Sequence, residues 1–279
     1  MDETTVNDNI LIIGPPNSSK TTFLTQLYGR IQAKKGCIKL SKTPMNITGI
    51  KNAYNRLADG LETEATPASI NAEVSIPVKW KENELELTFK DYGGEQVRDI
   101  TALLEYDKTW ETRAKENDRW ILFIRPGQIY HHYDLSITGY ADVDKSKVKE
   151  VSHNELSHQY NFIELIQALL HARGTGIKTS ISVPKLIIVM TCWDELNTTN
   201  TPLEILLEKL PLFYNFITTL WKKDSFTVLG AAPQEFRLDN IAAKDKYLDE
   251  LPESFGYIVL ENGQIDKDLT RLIEISLSL

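Results

Sequence analysis

Cysteine is nearly absent: Cys37 and Cys192 are the two in 279 residues. They build no disulfide framework, so a reducing compartment, the cytoplasm, is the simplest expectation. Positive charge is also in deficit. The 31 Lys and Arg against 39 Asp and Glu leave a formal charge of -8, which argues against a general nucleic-acid binder, since a phosphate backbone is held by clustered cations. Any phosphate ligand must therefore be met locally. Long hydrophobic runs are missing as well: stretches such as Leu186 to Met190 are far too short to span a bilayer. The opening MDETTVNDN is acidic and carries neither the basic nor the apolar region of a secretory signal. There is no internal repeat and no low-complexity segment. What remains is 42% hydrophobic, ample for a core, with no nucleic-acid partner and no membrane span expected.

Short apolar runs alternate with longer stretches at helical spacing. Asn9 to Ile13 reads as a buried strand, and Lys20 to Ala33 carries Phe23, Leu24, Leu27 and Ile31 on one helical face. Ala72 to Trp80 and Glu84 to Asp91 alternate apolar and polar residues about the turn Lys81-Glu82-Asn83, which predicts an antiparallel hairpin. Trp120 to Ile124, Lys185 to Met190 and Ser225 to Leu229 are bounded apolar runs of the kind found in parallel strands covered on both faces. Helices are expected at Asn161 to Ala172, Leu203 to Trp221 and Asp266 to Ile275. The fold class that follows is α/β: a mostly parallel sheet with one antiparallel strand, helices on both faces, and ligands at the carboxyl ends of the strands. Two long connections, about 36–67 and 126–153, read as insertions within one domain spanning 1–279 rather than as linkers.

The residues Gly14-Pro15-Pro16-Asn17-Ser18-Ser19-Lys20-Thr21 follow the first strand and open the first helix. Their spacing is that of a phosphate-binding loop, G-x-x-x-x-G-K-[ST], with Ser19 in place of the last glycine. A pattern relaxed to admit that serine arises by chance in about one chain in thirty. Its place between strand and helix strengthens it, because the helix N-terminus also faces the anion. Three further signals follow in order. Asp91-Tyr92-Gly93-Gly94 ends the second hairpin strand, where a carboxylate can hold the water shell of Mg²⁺ and the Gly94 N–H can reach a γ-phosphate. Thr191-Cys192-Trp193-Asp194 lies just past a buried strand, placing the Asp194 carboxylate to accept two hydrogen bonds from a guanine edge. Gly230-Ala231-Ala232 follows the next strand, where the N–H of Ala231 or Ala232 can meet the guanine oxygen. Each signal alone is weak, and their fixed order is what carries weight.

This ordered set is similar to the G1 to G5 motifs of the translation-factor-related class of P-loop GTPases, over roughly Asn9 to Ala232. Within that class, the GP-x-x-S-x-KTT opening and the FGYIVLENGQIDKDLT ending resemble the bacterial double-GTPase families of conflict and antiphage gene neighbourhoods. The resemblance implies GTP or GDP and Mg²⁺ as cofactors. Gly14, Pro15, Pro16, Asn17, Ser18 and Ser19 would supply the phosphate-binding backbone, Lys20 would meet the β and γ phosphates, Thr21 would ligate Mg²⁺, and Thr22 would serve the α-phosphate. Thr66, with Thr63 as the alternative, would be the switch threonine that completes the metal shell. Asp91 and Gly94 would anchor the second switch, and Thr191, Asp194, Ala231 and Ala232 would line the base. The implied partner is a companion protein, an effector or second GTPase.

Three positions depart from the pattern. Ser19 adds a side chain where the loop approaches phosphate closely, so lower affinity is expected. Cys192 stands at the lysine of the N-K-x-D motif, whose stem packs on the base and braces the phosphate loop. Glu95 stands where many relatives carry the glutamine that orients the attacking water, and its charge is repelled by a γ-phosphate. Slow hydrolysis is therefore expected, with a trigger from a partner or from Arg98 or Arg113 in cis. The function read from the chain is a Mg²⁺-dependent GTP-binding switch, a slow GTPase with Lys20, Glu95 and Thr66 as catalytic residues, acting with a partner in bacterial defence. The alternatives are an inactive nucleotide-binding scaffold subunit and an ATP-binding P-loop protein.

Overall fold

Ile10–Ile13 (β1) is apolar and buried at every position, as a strand covered on both faces must be. The strand period of two sends Leu11 and Ile13 into one apolar cluster and Ile10 and Ile12 into another. The structure, a computed structural model, describes residues 8–44, 47–64, 71–92, 94–103, 105–129, 157–175 and 179–279. Lys20–Gln32 (α1) follows the expected spacing and buries Phe23, Leu24, Leu27 and Ile31. The connection after it is not structureless: it holds Lys39–Leu40 (β2) and Thr48–Ala58 (α2). Ile50, Ala53 and Leu57, three and four residues apart as on one helical face, are the buried side of α2.

The hairpin forms as expected. Asn71–Trp80 (β3) and Asn83–Tyr92 (β4) pair antiparallel from Trp80↔Asn83 to Asn71↔Tyr92, and Lys81 takes φ 53 to close the turn. With β2 they make a separate three-stranded sheet, and β4 lies beside β1. Two further helices, Gly94–Leu103 (α3) and Lys108–Glu116 (α4), lead to Arg119–Ile124 (β5). His158–Arg173 (α5) is capped by Ser157, whose hydroxyl accepts from the Tyr160 N–H at 3.2 Å, and ends at Gly174 with φ 72. Lys185–Thr191 (β6) follows.

The single helix expected from Leu203 to Trp221 is two helices, Pro202–Lys209 (α6) and Pro211–Leu220 (α7). Pro211 is the cause. It has no N–H for the helix ladder and pushes the preceding Leu210 out of the helical region, to φ -139 and ψ 55. Phe226–Ala232 (β7) and Ile241–Asp249 (α8) come next, then Tyr257–Val259 (β8), Ile265–Asp266 (β9) and Thr270–Ser278 (α9). The last helix starts later than Asp266 because Asp266 and Asp268 side chains accept the N–H groups of Asp268 and Thr270, at 2.8 and 2.9 Å, in local turns.

The six-stranded sheet runs β1-β5-β6-β7-β8-β9; its first four strands are parallel and β8 and β9 extend it antiparallel. One face packs residues of α3 to α7 and the other packs α1, α9 and the hairpin. This is the expected class, a mostly parallel sheet with helices on both faces. A smaller cluster of Leu57, Leu238, Tyr247 and Phe255 ties α2 to α8 beside the carboxyl edge of the sheet. No helix among the described residues is long and apolar enough to cross a membrane.

Candidate functional site

The four parallel strands end along one edge, and each passes its chain to a loop that reaches the same open pocket, of about 390 Å³. Pro16 to Thr22 enter it after β1, Arg125 after β5, Cys192, Asp194 and Glu195 after β6, and Pro233, Gln234, Phe236 and Arg237 after β7. Glu62, Thr63 and Glu64, just past α2, close another side.

The loop after β1 is held by its own carbonyls. A Cβ on Gly14 would stand 2.6 Å from Ser18 Oγ and 2.8 Å from the Phe123 carbonyl oxygen, so β5 leaves room only for glycine. Ser18 Oγ donates to the Pro15 carbonyl at 2.8 Å, and the buried Lys20 ammonium donates to the Gly14 and Pro15 carbonyls at 2.8 and 2.9 Å. Asn17 and Ser19 both take left-handed backbone, φ 60 and 61. Ser19 thus adopts the conformation that favours glycine, while its hydroxyl meets Cys192 Sγ at 3.1 Å. Two members of the expected phosphate-binding backbone need correction: Pro15 and Pro16 have no N–H to donate. Gly14 and Pro15 also lie outside the pocket wall, where they serve Lys20 as acceptors.

Thr21 and Thr22 line the pocket from the first turn of α1, and the Thr22 and Thr63 hydroxyls are 2.8 Å apart. Thr63, the alternative switch threonine, is therefore at the pocket; Thr66 lies outside the described residues, as do Gly93 and most of the segment 126–153. Asp91 is placed by its backbone near the end of β4, opposite Ala72, and Gly94 begins α3, with Glu95 and Arg98 in the same helix. Arg113 is not near the pocket. It is buried on α4, with its guanidinium 5.0 Å from the Trp110 ring, so it cannot supply a cation there.

On the base side, Asp194 and Cys192 reach the pocket but Thr191 does not. Thr191 is fully buried and donates to the Ile124 carbonyl at 3.2 Å, joining β6 to β5. Ala231 and Ala232 are fully buried within β7, paired to Ile258 and Tyr257, and the pocket wall begins directly after them at Pro233 and Gln234. That wall is anchored: Tyr247 donates to the Gln234 carbonyl at 2.7 Å and accepts from Gln26 of α1 at 3.1 Å. Trp193 packs over Gly230, where a Cβ would fall 2.6 Å from its ring, while its neighbour Asp194 lines the pocket. Burial pushes the Asp194 carboxyl above its ordinary value, and burial likewise raises the Cys192 thiol.

Arg125, Glu195 and Arg237 were not singled out in the sequence. Arg125 donates through Nε and one terminal nitrogen to the two Glu195 oxygens, at 3.0 and 2.6 Å, and Arg237 donates to Glu195 at 3.1 and 2.7 Å. Burial pushes Glu195 up, but hydrogen bonds from both arginines outweigh it and hold the carboxyl below its ordinary value. Their signal was positional: each follows directly on, or close behind, the end of a parallel strand.

A parallel sheet whose first strand runs through a glycine-started, lysine-bearing loop into a helix, with an aspartate after a later strand at the same pocket, defines the P-loop GTPase class. The model of the Double-GTPase 1 family (DO-GTPase1) matches residues 11–275, and the chain belongs to that family. Membership places it among GTP-binding proteins. The chain is also similar to the Arl6 BBS3 small GTPase from Trypanosoma brucei with bound GppNp, at 13% identity over 88% of this chain and 96% of that one, TM-score 0.42. A second similar structure is the S. cerevisiae Ski7 GTPase-like domain bound to GTP, at 16% identity over 85% of this chain and 45% of that one, TM-score 0.43. No curated protein matches the chain.

Proposed function

We propose that this protein is a Mg²⁺-dependent GTP-binding switch of the cytoplasm that hydrolyses GTP slowly and passes its nucleotide state to a companion protein in bacterial defence. The observation that supports it is the shared pocket: phosphate-loop residues Asn17 to Thr22 and the carboxylate of Asp194 line one cavity. Lys20 is the cation for the β and γ phosphates, and the N–H groups from Asn17 onward, at the start of α1, favour an anion. Asp194 accepts from the guanine edge, and the Gln234 end of the β7 loop stands where Ala231 and Ala232 were expected.

Mg²⁺, a hard cation that takes oxygen ligands, would be held by the Thr21 hydroxyl and a switch threonine (Thr63 or Thr66), with Asp91 expected to hold its water shell; of these, Thr21 and Thr63 line the pocket. Bound there, the metal would neutralise charge on the β and γ oxygens. Glu95, early in α3, takes the sequence position at which many relatives orient the attacking water; a carboxylate in that role would be a poor base beside a γ-phosphate without a partner's cation.

The test pairs thermal shift with turnover. GTP and Mg²⁺ should raise the melting temperature of the purified protein by mass action, ATP should not, and GTP turnover should exceed that of Lys20→Ala. Equal shifts with ATP would sink the guanine reading; a GTP shift without turnover would leave a nucleotide-binding scaffold subunit.

A further inference from the structure

The phosphate loop and the base loop meet at one seam, and Arg125 sits in it. Its strand, β5, lies between β1 and β6 in the sheet, so the residue that follows β5 is flanked by both loops. One planar guanidinium reaches both sides: Nε and one terminal nitrogen donate to Glu195, beside Asp194, at 3.0 and 2.6 Å, and the other terminal nitrogen donates to the Asn17 carbonyl of the phosphate loop at 3.3 Å. The second link across the seam, Ser19 Oγ to Cys192 Sγ at 3.1 Å, is weaker, because sulfur is a poor hydrogen-bond partner. The Arg–carboxylate fork is the strong one.

We infer that Arg125, aligned by Glu195, is a positioning residue that fixes the separation between the phosphate loop and the base loop, and so selects ligands that span both. The inference rests on the GTP-binding reading above. A ligand bridging two sites gains when their spacing is set in advance, because the ordering cost is already met by the protein. A ligand occupying the phosphate loop alone gains nothing from that spacing. Arg125 is therefore expected to matter for a nucleoside diphosphate and not for inorganic pyrophosphate.

The experiment measures binding of GDP and of pyrophosphate, each with Mg²⁺, to the wild type, Arg125→Gln and Glu195→Gln, which break the same fork from opposite ends. Both variants should lose about tenfold in GDP affinity, the loss expected for one charge-assisted pair, and stay within about twofold of wild type for pyrophosphate. The unliganded melting temperature of each checks that it folds. Equal losses for GDP and pyrophosphate would overturn the inference, since Arg125 would then contact phosphate itself; unchanged GDP affinity in both variants would also overturn it. Wild type that binds pyrophosphate but not GDP would instead refute the GTP-binding reading, whatever the variants do.

Discussion

Replacing Ser19 by glycine restores the residue usual at that place in a phosphate loop, yet little should follow. Ser19 lies at φ 61 and ψ 23, where a side chain costs about 1 kcal/mol. Glycine relieves that cost but gives back about 0.5–1 kcal/mol, because its unfolded chain is freer. The change also removes the hydroxyl contact to Cys192 Sγ at 3.1 Å, worth about 0.5 kcal/mol for a weak partner. These contributions cancel to within about 1 kcal/mol, so the unliganded melting temperature should move by only a few degrees. The ligand side follows the same logic. The backbone already takes the left-handed turn for which glycine is favoured, and the hydroxyl is engaged by Cys192. Affinity for a non-hydrolysable GTP analogue with Mg²⁺, measured by calorimetry, should therefore change by less than about threefold. A gain of tenfold or more in Ser19→Gly would refute the reasoning, because it would mean that the serine side chain obstructs the phosphate. Ser19→Val is the contrasting variant. A β-branched side chain in that backbone region should cost about 2 kcal/mol or more and weaken binding with it.

Asp194→Asn should move stability and binding in opposite directions. A carboxyl raised above its ordinary 3.8 contributes stability that is full below 3.8 and lost as pH rises through the raised value, so ionised Asp194 destabilises the unliganded protein at neutral pH. The variant should melt higher at pH 7, with the gain fading toward pH 4, and bind GTP about 100-fold more weakly for the loss of two charge-assisted hydrogen bonds. Gly14→Ala forces a methyl to within 2.8 Å of the Phe123 carbonyl and should cost about 1–3 kcal/mol in chemical denaturation; a neutral result would show that β5 and the loop separate freely. Both cysteines should alkylate slowly at pH 7.5, as burial pushes Cys37 up to about 11 and raises Cys192. Mass spectrometry should then find GDP protecting Cys192, a pocket residue, and leaving Cys37 unchanged.

The parallel strands were legible because a strand covered on both faces must be apolar throughout: Ile10 to Ile13 and Leu186 to Met190 have no polar position to confuse the period. The phosphate loop was legible for a related reason, since its chemistry is local in sequence. Residues that act across the pocket were not. Arg125 follows an apolar run and is an ordinary surface arginine until β5 is known to lie between β1 and β6; Glu195 is one more acid beside Asp194. Ala231 and Ala232 illustrate the opposite failure. Their motif position was found, but the antiparallel pairing of β8 carries the ladder through Ala232 and moves the pocket wall to Pro233 and Gln234. The α2 helix was lost for want of a strong start, as Ile47 at its N-terminus makes no side-chain cap.

The departures at Ser19 and Cys192, which look independent in sequence, are one contact in space. A lysine at position 192 would set a second cation against Arg125, whose charge already acts on Cys192 and whose guanidinium already joins the two loops. Like charges in one pocket repel, whereas the small neutral thiol adds none and meets the Ser19 hydroxyl at 3.1 Å. Cys192 and Arg125 thus belong to one arrangement: the contacts that join the phosphate loop to the base loop come from the Cys192 thiol after β6 and from the Arg125 guanidinium after β5. On that view Ser19 is not a worn glycine but the third member of the same seam.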